Sequence, residues 1–119
     1  MRLIYHIVGE EEWEKARRVG VYRPESLEED GFIHAGYKAQ MLDVANILFA
    51  GEEGLVVLCI DPARVTAPIR GDLVEFPEGV ESLHPHFYGP LNVDAVVRVV
   101  ALPPRPDGSF SLPAELSSM

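Results

Sequence analysis

The sequence is poor in cysteine, in positive charge and in long apolar runs, and each shortage closes off a class of function. Its 119 residues hold one cysteine, Cys59. No internal disulfide can form, and the apolar setting in "LVVLCID" makes Cys59 a small core residue of a reducing compartment rather than a nucleophile. Ten basic against nineteen acidic side chains leave a formal charge of −9. Such a surface repels nucleic-acid phosphates and acidic lipid headgroups, so neither nucleic acid nor a membrane is an expected partner. No run approaches the roughly 20 apolar residues of a membrane span. The apolar stretch in "MRLIYHIVGEEEW" is too short for a signal peptide, which points to the cytoplasm. Gly-rich phosphate loops are missing as well, since neither G-x-G-x-x-G nor G-x-x-x-x-G-K-[ST] occurs.

A chain of this length makes a single domain over residues 1–119 that can bury a sufficient core without staples. The spacing predicts a core over 2–103 and a peripheral tail over 104–119, with a turn at Asp107-Gly108 and fraying polar residues beyond it. Leu3 to Val8 is apolar on both faces, as in an interior strand, and carries His6. From Glu10 to Val19 the acids come first and Lys15, Arg17 and Arg18 last, complementing a helix dipole, with Trp13 and Ala16 inward and Gly20 placed as a C-terminal cap. "VYRPESLEED" reads as a surface loop before a short strand from Gly31 to His34, although "SLEE" could cap a helical turn from Ser26. Tyr37, Met41, Val44, Ala45 and Leu48 form one stripe of an amphipathic helix ending near Gly51. Leu55 to Ile60 and Asp94 to Leu102 are the other expected central strands, with edge strands near Ala67 to Arg70 and Leu73 to Phe76. Helices early and strands late predict an α+β fold with two main helices on a bent or split, mainly antiparallel sheet.

Four histidines, His6, His34, His84 and His86, hold most of the chemical interest. Each alone is ordinarily a buried imidazole satisfied by backbone or a hydroxyl. In "SLHPHFYGPL" His84 and His86 share one face of an extended segment, a spacing that suits two metal ligands, but Pro85 constrains it and no third ligand is spaced to complete the set. No metal site is therefore expected. "GVYRPESL" supplies the hydroxyls of Tyr22 and Ser26 and the planar fork of Arg23, which suits phosphate or carboxylate and is otherwise a solvated loop cation.

"IYHI", a tryptophan, "GVYRPESL", "DGFIH", "LVVLCIDP" and "PHFYGPL" followed by "DAVV" run in an order that resembles the bacterial domain-of-unknown-function family 952. Members of that family resemble the ADP-ribosyltransferase fold. The resemblance spans roughly residues 3 to 102 and rests most on "DGFIH" and "PHFYGPL". It implies a split β core that cradles NAD without a Rossmann loop. His6 matches the first-strand position that meets the nicotinamide-side ribose, and His34 to Gly36 match the hydroxyl positions of a later strand. Gly36 replaces the serine more usual after "FIH", and His84 stands where "F-P-H" is usual. Where transferases place a catalytic glutamate, this chain has His86, and Glu81 is the nearest acid before it.

The expected function is a small-molecule-binding domain for a nucleotide- or NAD-like ligand, with a histidine-lined cleft and no transferase glutamate. His6, His34 and His86 are its acid–base or binding groups, and Tyr22, Arg23, Ser26, Tyr88 and Glu81 its ligand contacts. The alternatives are an active NAD-dependent transferase or hydrolase, and a protein-interaction or structural domain. Glu81 or Glu75 facing the histidines would favour catalysis, and both facing solvent would favour binding alone. The sequence fixes no oligomeric state.

Overall fold

The computed structural model describes residues 2–117. Its elements are β1 (Ile4–Gly9), α1 (Glu10–Val19), β2 (Val21–Tyr22), α2 (Glu25–Glu29), α3 (Lys38–Leu48), β3 (Leu55–Ile60), β4 (Ile69–Glu75), β5 (Glu81–Phe87), β6 (Leu91–Asn92) and β7 (Val96–Ala101). All strand pairing is antiparallel and is divided among three ladders, β1-β3-β7, β2-β6 and β4-β5. This is an α+β domain on a split antiparallel sheet.

β3 lies in the middle of the largest ladder and is buried along its whole length, which is why its six residues are apolar without alternation. β1 and β7 flank it rather than sharing the centre. The sheet separates two apolar clusters. Ile4, Val8, Leu58 and Ile60 face Trp13 and Ala16 of α1 together with Ile33 and Phe87. On the other side Tyr5, Ile7, Val57 and Cys59 face Met41 and Ala45 of α3. Val44 is only half-buried and Leu48 is 63% exposed, so the predicted α3 stripe lifts away from the sheet at its C-terminal end.

α1 ends at Gly20, whose φ of 97° lets its N–H reach the Ala16 carbonyl. A methyl group there would meet open space, so the whole cost of Gly20→Ala is conformational. Urea denaturation should show a loss of about 1 kcal/mol, and an unchanged midpoint would mean that the helix end tolerates another backbone geometry.

Several expectations are corrected. The loop over residues 21–30 contains β2 and the single turn of α2, and residues 31–34 form only a bridge between Ile33 and Phe87, not a strand. The two short edge strands are one strand, β4, which joins β5 in a seven-pair hairpin. β7 begins at Val96, after a 3₁₀ turn over Val93–Ala95. The tail is not peripheral. A tight turn at Asp107 and Gly108 sends it back across α3, where Phe110 and Leu116 are 1% and 0% exposed within the second cluster.

Candidate functional site

Register in the β4-β5 hairpin decides which side chains meet. Directly opposed residues share a face, so Ser82, His84 and His86 stand with Val74, Asp72 and Arg70. Asp72 is opposite His84 but reaches diagonally to His86, whose Nδ1 lies 2.8 Å from Asp72 Oδ2. The Tyr88 hydroxyl donates to the same oxygen at 2.5 Å. These bonds, from Tyr88 first and His86 second, hold the Asp72 carboxyl below its usual range. Because a carboxylate only accepts, His86 Nδ1 carries the proton, and in the neutral ring Nε2 presents a lone pair. Burial pushes the His86 pKa down despite Asp72, which favours that neutral ring. The Arg70 guanidinium lies over the Tyr88 ring, 4.7 Å from its centroid.

"DGFIH" reaches this face through the Ile33–Phe87 bridge, with N–H to carbonyl distances of 2.8 and 3.2 Å. Phe32 then stacks on His86, with centroids 4.4 Å apart and planes 12° apart. His34 meets the edge of His86 at 5.4 Å. Gly31, at φ 83°, makes the sharp reversal that returns Asp30 to His34, and His34 Nε2 lies 2.8 Å from Asp30 Oδ2. His34 and Asp30 are half-exposed, whereas His84 and His86 lie buried beneath them.

His6 joins from β1. Tyr5 and Gly36 exchange backbone hydrogen bonds of 2.7 and 3.0 Å, which lays residues 34–36 along β1. His6 Nδ1 donates to the His34 carbonyl at 2.5 Å. That fixes Nε2 as the acceptor in the neutral ring, and the Tyr22 hydroxyl donates to it at 2.8 Å, with Glu12 a longer alternative acceptor at 3.4 Å. Burial pushes the His6 pKa down to about 4 and the Tyr22 phenol up. His84 completes the cluster, its ring centroid 6.2 Å from that of His86. Its Nε2 is buried and has no protein partner, and its pKa is lowered by burial and then by the neighbouring imidazoles.

His6, His34 and His86 are joined by these contacts, with Tyr22 on His6 and Tyr88 on Asp72. Arg23, Ser26 and Glu81 are not. Arg23 is exposed and the Ser26 hydroxyl on α2 half-buried, and neither makes a side-chain hydrogen bond or ion pair among the described residues. Glu81 pairs with Glu75 at the far end of the hairpin, on the face opposite the histidines, and both are exposed. Five residues of strand put Glu81 about 16 Å from His86 along β5. The acids that meet the cluster, Asp72 and Asp30 on the histidines and Glu12 on Tyr22, were missed, as were Phe32 and Arg70. Only Asp30, four residues before His34 in "DGFIH", left a visible signal. Among the described residues no group of three or more His, Cys, Asp or Glu side chains is arranged to hold a metal ion. A cavity of about 410 Å³ opens beside the cluster, touching it through Tyr88 and otherwise walled by Gly20, Thr66 and Asn92.

A family model described as a protein of unknown function, DUF952, matches residues 7–99. The chain belongs to this family. The DUF952 match takes in every element that carries the site except His6, which lies one residue before it. Two solved structures of protein CC0527 from Caulobacter crescentus, both structural-genomics targets, are similar to this DUF952 chain at 30% identity. The crystal structure has a TM-score of 0.80 and covers 92% of this chain and 94% of that one. The solution NMR structure has a TM-score of 0.74 and covers 100% of both. No curated protein matches. Among the described residues no helix is long and apolar enough to cross a membrane.

Proposed function

We propose that this DUF952 chain binds a small nucleotide-like molecule of the NAD type at its histidine cluster, in a cleft related to that of the ADP-ribosyltransferases. The observation that carries this reading is the convergence of His34 and His86, each with one ring nitrogen tied to its own aspartate. His86 thereby keeps an Nε2 lone pair that a ligand hydroxyl or amide can address, and the unpartnered buried Nε2 of His84 adds a second polar group in need of a partner. With Asp30, Asp72 and Glu12 close by, the part of the ligand against the imidazoles must be neutral, as ribose hydroxyls and a nicotinamide amide are. Phosphates belong further out, toward Arg70. The split antiparallel sheet is consistent with the transferase-like relation, and the placement of Glu81 on the other face favours binding without transfer.

A second reading is favoured by one feature, the Asp72–His86 pair. An imidazole oriented by a carboxylate, with Nε2 free, is the arrangement of a general base that takes a proton from water or a hydroxyl. One experiment separates the two. Thermal shift and calorimetric titration with NAD, ADP-ribose and nicotinamide should reveal a ligand that raises the melting temperature, because anything bound only by the folded chain stabilises it. His86→Ala should weaken that ligand about tenfold or more, the loss of one buried hydrogen bond. Intact NAD after long incubation supports binding alone, release of nicotinamide that is lost in Asp72→Asn supports the second reading, and no stabilisation by any of the three compounds rejects both.

A further inference from the structure

A second cavity lies away from the histidines. It has about 880 Å³ and opens between the start of β1, the first turn of α3 and the tip of the β4-β5 hairpin. That volume falls in the range of small-molecule sites. Its walls include the rings of Tyr37 and Phe76 and the aliphatic chains of Leu3 and Val80. Val80 is 52% exposed, an apolar surface that a ligand in the cavity would cover.

Charge in the cavity runs against that of the chain. Arg2 and Lys38 face one acid, Asp43, in a protein whose formal charge is −9. The Arg2 guanidinium lies 3.6 Å over the Tyr37 ring centroid, so the ring holds its plane while its N–H groups stay available to an acceptor. Lys38 is engaged at the Leu116 carbonyl, 2.6 Å away, and contributes its charge. The polar wall is already braced. Gln40 accepts from Tyr37 N at 2.9 Å and donates to Ser82 Oγ at 3.1 Å and the Leu83 carbonyl at 2.9 Å, tying α3 to the hairpin. Since Ser82 Oγ accepts from Gln40, its own proton is left to donate.

We infer that this cavity is a second ligand site, distinct from the histidine cluster, for a compact aromatic or branched carboxylate. Its apolar body packs on Tyr37 and Phe76, and its carboxylate takes the Arg2 fork and the Ser82 hydroxyl. A charge-assisted bidentate pair is the strongest polar contact the cavity offers and the apolar walls reward the ligand's body, so neither the charge nor the ring suffices alone.

The test is an ¹⁵N-resolved NMR titration with phenylacetate, its neutral amide phenylacetamide, and acetate. Phenylacetate should give saturable shifts at the amides of Tyr37, Val80 and Ser82 in the millimolar range, with phenylacetamide and acetate about tenfold weaker or worse. Arg2→Gln, at an exposed position, should weaken phenylacetate about tenfold, and Val80→Glu should abolish the shifts. His86→Ala should leave them unchanged, which keeps this site separate from the nucleotide-binding proposal. Equal binding of phenylacetamide, shifts that map to His34 and Phe87 instead, or no saturable shift at all would each overturn the inference.

Discussion

A chain cut after Pro104 should lose its cooperative melting transition, or melt about 20 °C lower, in calorimetry or far-ultraviolet circular dichroism. The deleted segment looks dispensable by composition, but it supplies Phe110 and Leu116, two of the largest fully buried side chains. Each closes the face of the sheet that Met41 and Ala45 cover from α3. Truncating a buried phenylalanine costs about 3–5 kcal/mol and a buried leucine about 2–5 kcal/mol, against a total stability of roughly 5–15 kcal/mol for a domain. Polar contacts go too. Asn46 receives the Phe110 N–H at 2.7 Å and donates to the Phe110 carbonyl at 3.1 Å, and Lys38 reaches the Leu116 carbonyl. Deletion would leave the half-buried Asn46 amide facing an opened apolar surface. A shortened chain that melts within a few degrees of the full one would show that α3 packs on the sheet without the tail.

The tail was misread because its two plugs are six residues apart in "SFSLPAEL" with no helical or strand period between them. Periodicity finds elements that bury a face, and Phe110 and Leu116 are single anchors on an irregular path. β4 was hidden for a different reason. Gly71 and Asp72 are breaker residues, so "IRGDLVE" divides into two pieces by local preference, yet pairing with β5 holds it straight and sets Gly71 opposite Pro85. Splitting that strand concealed the site, since only the continuous register brings Asp72 across to His86. What local rules did reveal was strongly patterned: the charge order of α1 with Gly20 behind it, the unbroken apolar run of β3, and Met41 and Ala45 of α3. Grouping His6, His34 and His86 rested on the family resemblance alone, because three residues so far apart in the chain share no local signal. Of the acids only Asp30 left a local signal, four residues before His34 across the turn at Gly31. Glu12 depends on where α1 sits above Tyr22, which is a tertiary fact.

Acid should unfold this protein partly through His6. Its ring sits between the His34 carbonyl and the Tyr22 hydroxyl, and its pKa is held at about 4 in the fold by burial, against an ordinary value of 6.5. The unfolded chain therefore binds a proton that the folded chain refuses, so stability is complete above about pH 6.5 and falls as the pH drops toward 4. The gap corresponds to a loss of about 3 kcal/mol once the pH is below the folded value. His84 and His86, whose pKa values are also lowered by burial, add to the loss with the same sign. The groups facing His6 pull in opposite directions. The His34 carbonyl, which accepts from Nδ1, favours the imidazolium, whereas the His34 ring opposes a second positive charge beside it. Urea denaturation at a series of pH values should show this loss in the wild type and a total loss smaller by about 3 kcal/mol in His6→Gln. NMR titration of the His6 ring supplies a check that does not depend on the variant folding well. A midpoint near 4 is expected, and one near 6.5 would mean that His6 is solvated and does not tie β1 to "DGFIH" in solution.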